Sequence, residues 1–231
     1  MLLFFSTGLT LAAALPSAVT LLRLPRAKYF LVALFNVSLA FFFFSYHVHE
    51  KTILIPLLPL ILNIRYFKVF YVDFILVATF TNYHMLVEDK LQLQCVIVMG
   101  LFGVFGHAVL AHFRKAWKKE KPAVAANAKK TKAKGDKLKA FLDFLEEDYT
   151  KYVSKALPIV LMVLLLADGM ITPPEKYPYL FHLLFALVGF AEFVLVFVYS
   201  NVKMIYCSRR DLALEKKVAE FDIKKVLGKA D

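Results

Sequence analysis

Long apolar runs, broken by short polar stretches, make up most of this chain. They lie at about residues 2–22, 29–46, 52–64, 67–83, 91–113, 156–172 and 178–206. They lack the period-two alternation of a half-buried strand and the one-sided stripe of a soluble amphipathic helix. Runs apolar on every side predict helices that cross a bilayer, which takes roughly 17–25 residues each. The fold class is therefore all-α: a polytopic membrane protein with about seven transmembrane segments. The third run is short, and Pro56 and Pro59 remove backbone donors within it. A tilted, broken or re-entrant segment is expected there, of a kind tolerated only where protein or a water-filled cavity covers it.

The stretches between the runs carry the charge, and its distribution predicts a topology. Residues 47–51, 84–90 and 168–177 hold only Lys51, Lys90 and Lys176. The alternate stretches hold three basic residues between Arg23 and Lys28, two at Arg65 and Lys68, thirteen between Arg114 and Lys155, and eight from Lys203 onward. Together these are 26 of the chain's 29 Lys and Arg. The positive-inside rule then places the C-terminus in the cytosol and residues 47–51 on the lumenal or external side. The same asymmetry accounts for the net charge of +11, so nucleic acid is not an expected partner. Residues 118–139, rich in Lys and Ala with Pro122 and Gly135, read as a flexible solvated loop near anionic headgroups. Leu138, Phe141, Leu142 and Leu145 recur at helical spacing among acids, which predicts a short amphipathic helix at the membrane surface. The expected organisation is 1–113, five segments with a lumenal polar motif; 114–155, a basic cytosolic loop with the amphipathic helix; 156–206, the last two segments; and 207–231, a cytosolic tail.

Composition adds two exclusions. Met1-Leu-Leu-Phe-Phe has no basic n-region, and the first run ends in Arg23 and Arg26 rather than at a small-residue cleavage site, so a retained span is expected there. Cys95 and Cys207 fall in or at the end of different segments, which predicts no disulfide framework and offers no metal spacing.

The candidate chemistry lies at His47-Val48-His49-Glu50-Lys51, wedged between two uncharged runs. Ionisable groups at such a depth are costly, and are functional by default. Three readings stand. A helix-end cluster would leave Glu50 and Lys51 solvated and the histidines hydrogen-bonded in the interface. A metal site would need further ligands from His84, Glu88 and Asp89 on the same side, and no ligand motif supports it. A ligand site for phosphate or sugar would use Lys51 as a point charge, the histidines as donors or proton carriers, and Glu50 to orient Lys51 or bind a hydroxyl. Elsewhere, Asn36 and Ser38 read as hydrogen-bonding glue between helices, and Gly100, Gly103 and Gly106 as a close packing face. Glu192 must face the bundle or a cavity, with no partner legible.

The stretch from Ala33 to Pro59 is a Phe-rich helix, then Val48-His49-Glu50-Lys51, then Ile53-Leu54 and Pro56-Leu57-Leu58-Pro59. It resembles the endoplasmic-reticulum α-1,3-glucosyltransferases that use dolichyl phosphate glucose. Leu86-Val-Glu-Asp-Lys-Leu-Gln-Leu-Gln94 and Pro173-Pro-Glu-Lys-Tyr-Pro-Tyr-Leu180 are similar to that family's lumenal acidic turn and last lumenal loop. The resemblance covers about residues 20–205 and is to the C-terminal part of a GT-C type glycosyltransferase. It implies inverting transfer of glucose to the lipid-linked oligosaccharide precursor of protein N-glycosylation, in the endoplasmic-reticulum membrane. Ser45 and the Pro-Pro-Glu-Lys-Tyr-Pro loop are more similar to the branch adding the first glucose, His47 to the branch adding the second; the first is favoured. By this resemblance His47, His49, Glu50 and Lys51 form the donor-binding pocket. No metal and no cofactor are implied, since the dolichyl-linked donor and acceptor are both substrates.

The family's general-base acid lies in a first lumenal loop that this chain does not match. Glu88, Asp89, Asp168 and Glu175 are lumenal acids in other places. The resemblance therefore implies a chain that is catalytically incomplete by itself, its base supplied by an N-terminal half from the same gene or by a separate subunit. The alternative is a non-catalytic membrane subunit or lipid-binding scaffold derived from the family.

Overall fold

The computed structural model describes residues 1–46, 48–128 and 137–227, and among these the side chains outside 50, 117–128 and 216–227. Helices dominate, as the uninterrupted apolar runs require. The first two, α1 (Leu2–Arg23) and α2 (Ala27–Phe44), form an antiparallel hairpin. Its tight turn is held by the Arg26 N–H donating to the Leu24 carbonyl at 2.8 Å. A 3₁₀ turn (Glu50–Ile53) leads into α3 (Leu54–Leu62). Then come α4 (Tyr71–Thr81), α5 (Tyr83–Glu88) and α6 (Gln92–Ala128). The last three are α7 (Lys137–Asp148), joined through a π-helical turn (Tyr149–Val153) to α8 (Ser154–Met170), and α9 (Leu180–Leu227).

Among the described residues, five helical stretches are long and apolar enough to cross a membrane: 2–23, 27–44, 92–116, 137–170 and 180–215. The third and fourth predicted segments are shorter. Pro56 falls in the first turn of α3, where its missing N–H costs nothing, but Pro59 interrupts the interior, and the helix ends at Leu62. At its far end α4 is stopped by its own polar side chains. The Thr81 hydroxyl and Asn82 amide both donate to the Ala78 carbonyl, at 3.1 and 2.8 Å. Eleven residues reach ~16 Å, about half of a ~30 Å hydrocarbon core.

This short α4 is the centre of the bundle. It packs on α6, α8 and α9, and seven of its eleven residues are buried. A helix apolar all round belongs in such a place. Phe70 stacks near Tyr199, Phe74 near Phe193 and Phe80 near Phe185, with centroids 4.5, 5.1 and 4.2 Å apart. Ascending positions on α4 thus meet descending positions on α9, and the two run antiparallel. The outer faces carry Leu93, Val104, Phe105, Ile159, Val163 and Leu187, all exposed, as a lipid-facing perimeter requires.

Two helices outrun their sequence expectation. Residues 118–128, read above as flexible chain, continue α6, and residues 207–227 continue α9. Ala, Lys, Leu and Glu are strong helix formers, so a composition that looks like solvated loop also sustains a helix begun in the membrane. Residues 129–136 and 228–231 lie outside the described residues. The amphipathic segment around 138–152 is helical as expected, with Leu142 and Tyr149 buried rather than laid on a surface.

The packing residues singled out by sequence behave unequally. Asn36 is indeed interhelical glue: its amide donates to the Ser17 hydroxyl at 2.7 Å and its carbonyl oxygen accepts from Ser200, while Ser17 donates to Asn201 at 2.9 Å. One seam so joins α1, α2 and α9. Ser38 instead donates to the Phe35 carbonyl of its own helix at 2.9 Å. A methyl at Gly103 would meet Leu76 at 3.6 Å, and one at Gly106 would meet both Val72 methyls at 3.2 Å, but Gly100 faces open space.

Candidate functional site

The polar motif is built where α2 stops. The Ser45 N–H closes the last turn on the Phe41 carbonyl at 3.0 Å, and the Ser6 hydroxyl donates to the Phe44 carbonyl, tying the end of α2 to α1. His47 lies outside the described residues. His49 then caps the 3₁₀ turn in extended conformation, and its Nδ1 accepts from the Lys51 backbone N–H at 3.4 Å. The Thr52 N–H and hydroxyl both converge on the His49 carbonyl, at 2.9 and 2.5 Å. An Nδ1 that accepts leaves the ring proton on Nε2, which is then a donor. The His49 and Lys51 side chains are exposed, and Lys51 has no ion-pair partner among the described residues. The turn thus presents an imidazole donor and an ammonium at one end of an apolar bundle. The side chain of Glu50 is not among those described.

The other acids and histidines on this side are carried by different helices. The Glu88–Asp89–Lys90 turn closes α5, with Lys90 in the left-handed region at φ 58°. The His84 ring stacks on His182 of α9, centroids 3.4 Å apart and planes 6° from parallel. Since α5 packs on α4 and α6, while the 3₁₀ turn packs on α2 and α3, this stack and the motif sit on separate helix pairs.

Two acids lie within the bundle, Asp73 missed by sequence reasoning and Glu192 anticipated by it without a partner. The Asp73 carboxylate on α4 is fully buried and faces His107 Nε2 of α6 at 3.1 Å. Glu192, whose partner could not be read, accepts from the Tyr149 hydroxyl at 2.6 Å. An acid inside an apolar run is a flag for a bundle-facing site, and Asp73 carried that flag as plainly as Glu192 did. Toward the basic end, Glu146 collects Lys203 at 3.1 Å, Lys68 at 3.5 Å and the Tyr199 hydroxyl at 2.5 Å. Beyond it, Asp211 takes Arg26 at 2.9 Å, Lys28 and the Tyr29 hydroxyl at 2.9 Å, fastening the α1–α2 turn to α9.

Lipid-facing apolar helices, paired ionisable groups inside and exposed cations at a helix end define a polytopic membrane protein. The ALG6, ALG8 glycosyltransferase family matches residues 1–199, and the chain belongs to that family. Relatives include a probable dolichyl pyrophosphate Man9GlcNAc2 alpha-1,3-glucosyltransferase of Drosophila melanogaster, 30% identical over 195 residues, which are 84% of this chain and 35% of the relative. The Arabidopsis thaliana protein of the same description is 31% identical over 196 residues, 85% of this chain and 33% of the relative. That of Dictyostelium discoideum is 39% identical over 100 residues, 43% of this chain and 19% of the relative. The chain thus spans about a third of the length of the first two.

Proposed function

We propose that this chain acts in the transfer of glucose from dolichyl phosphate glucose to a dolichyl-linked oligosaccharide, and that His47, His49, Glu50 and Lys51 form its donor-phosphate site. Membership of the family supports the reaction class. The relatives' names specify a Man9GlcNAc2 acceptor, which carries no glucose, and this favours addition of the first. The proposed location is the endoplasmic-reticulum membrane, and the Lys and Arg asymmetry supports a lumenal motif with a cytosolic C-terminus.

The observation that carries the site is one turn that exposes both the Lys51 and the His49 side chains, with His49 Nδ1 engaged by the Lys51 backbone N–H. In the transfer an acceptor hydroxyl oxygen attacks the anomeric carbon. The bond from that carbon to the phosphate oxygen breaks, dolichyl phosphate leaves with the bonding electrons, and the hydroxyl proton passes to a carboxylate base. Negative charge gathers on the leaving phosphate, where a fixed cation and a ring N–H stabilise it most in a water-poor setting. The base is assigned to an N-terminal half or a separate subunit.

The test is glucose transfer to Man9GlcNAc2-bearing lipid in microsomes, normalised to the amount of protein. Lys51→Ala and His49→Ala are each expected to lower transfer by tenfold or more at unchanged protein level, with Lys51→Arg retaining the larger part. Unchanged transfer in both alanine variants at normal expression would remove these residues from the donor site.

A further inference from the structure

At the opposite end of the hairpin from the His49–Lys51 turn, α1 and α9 leave a groove of about 340 Å³ between them. Leu15 and Val19 wall it on one side, Ile205 and Leu212 on the other, and Arg23 and Arg209 join its lining from the two helices. Its hydroxyls are already used within their own helices: Thr20 donates to the Pro16 carbonyl at 2.7 Å and Ser208 to the Ile205 carbonyl at 2.9 Å. The nearby acids are used too, since Asp211 and Glu215 pair with Arg26, and Asp211 also with Lys28. Arg23 and Arg209 are exposed and have no acidic partner among the described residues.

Two uncompensated guanidiniums beside an apolar trough call for an anion that carries an apolar tail. A free anion would leave the trough empty, and a zwitterionic lipid would bring its own cation against the arginines. We infer that the α1–α9 groove holds one anionic glycerophospholipid, its headgroup phosphate on Arg23 and Arg209 and an acyl chain along Leu15, Val19 and Ile205. A guanidinium pair suits this role because each planar fork gives two parallel hydrogen bonds to phosphate oxygens. The inference rests on the membrane character of the chain and is independent of glucose transfer.

The experiment is native mass spectrometry of the purified chain, titrated in detergent with dioleoyl phosphatidylserine, dioleoyl phosphatidylcholine or a polyprenyl phosphate. The expected result is one retained phosphatidylserine and weak retention of phosphatidylcholine. Each basic residue near an anionic headgroup is worth about fivefold, so Arg23→Gln with Arg209→Gln should weaken phosphatidylserine retention roughly 25-fold. The corresponding double lysine variant should lose far less. Arg210→Gln, which removes an exposed charge outside the groove lining, should leave retention unchanged. Leu15→Trp, which fills the trough and keeps both charges, should also abolish it. The proposal is overturned if Arg210→Gln weakens retention as much as the groove variants do, if the double glutamine variant retains phosphatidylserine as the native chain does, or if phosphatidylcholine or polyprenyl phosphate is held as tightly.

Discussion

Arg114, on α6, donates from Nε and Nη2 to the carbonyl oxygen of Lys68, at 2.9 and 2.6 Å. Its Nη2 also reaches the Val69 carbonyl at 3.2 Å. These carbonyls belong to the turn between the two short helices, and no following helix supplies them with donors. One side chain thereby fixes where the α3–α4 excursion reverses. Arg114→Ala is expected to destabilise the bundle by about 1.5–3 kcal/mol, the range for hydrogen bonds to a charged group. Lysine should restore only part of this, because it lacks the fork. Thermal unfolding of the detergent-solubilised protein, followed by loss of the monodisperse peak, measures both.

The Tyr149–Glu192 hydrogen bond makes a prediction of opposite kind for its two partners. Tyr149→Phe keeps the ring against Phe70 (centroids 4.2 Å apart) but strands Glu192 in a bundle interior where it is 5% exposed. A loss of roughly 1–3 kcal/mol is expected from the orphaned acid. Glu192→Gln retains an acceptor for the tyrosine and removes a carboxyl from an apolar setting, so its stability should equal or exceed that of the native chain. The same melting measurement separates the two, and a destabilisation of equal size in both would show the carboxylate itself to be required.

Close packing of α6 on α4 is tested by its glycines. A Cβ at position 106 meets both methyls of Val72 at 3.2 Å. Gly106→Leu should therefore cost about 1–3 kcal/mol through overpacking, and Val72→Ala added to it should recover part of the loss. Gly100 faces open space, so Gly100→Ala should raise stability by up to about 1 kcal/mol through helix propensity alone. Thermal midpoints of the four proteins check the ordering.

Sidedness is checked by labelling. In a chain with Cys95 and Cys207 replaced by serine, Glu175→Cys in the exposed 171–179 loop should resist a membrane-impermeant maleimide in sealed, right-side-out microsomes until detergent is added. Arg210→Cys should react at once. The reverse pattern would invert the proposed orientation.

The helical, membrane-spanning character of this architecture was legible from the lengths of the apolar runs, because bilayer thickness acts on sequence directly. The position of Asn36 in an apolar run announced the seam with Ser17 and Ser200, since an amide in hydrocarbon must find a partner. Pro59 announced the shortness of α3. The shortness of α4 had no such mark. Its apolar run extends from 67 to 83, and what ends the helix is the local bonding of Thr81 and Asn82 to one carbonyl. Partners at a distance in sequence were likewise illegible: nothing in residues 149 or 192 alone names the other. The Asp73–His107 pair was missed for a different reason. Both residues stood alone in apolar surroundings, and the rule that flagged Glu192 applied equally to them.

The length of α9 has a mechanical consequence. Its last tie to the α1–α2 turn is Glu215, paired with Arg26, and from there to Leu227 the helix runs on for 12 residues, a projection of ~18 Å at 1.5 Å per residue. Held at its base through Glu146 and Asp211, this stretch moves as one rod with the part of α9 inside the bundle. A tilt of about 10° at Glu215 displaces the tip by roughly 3 Å. Small adjustments of α9 among the packed aromatics are thus carried outward along a single helix instead of being absorbed at a joint.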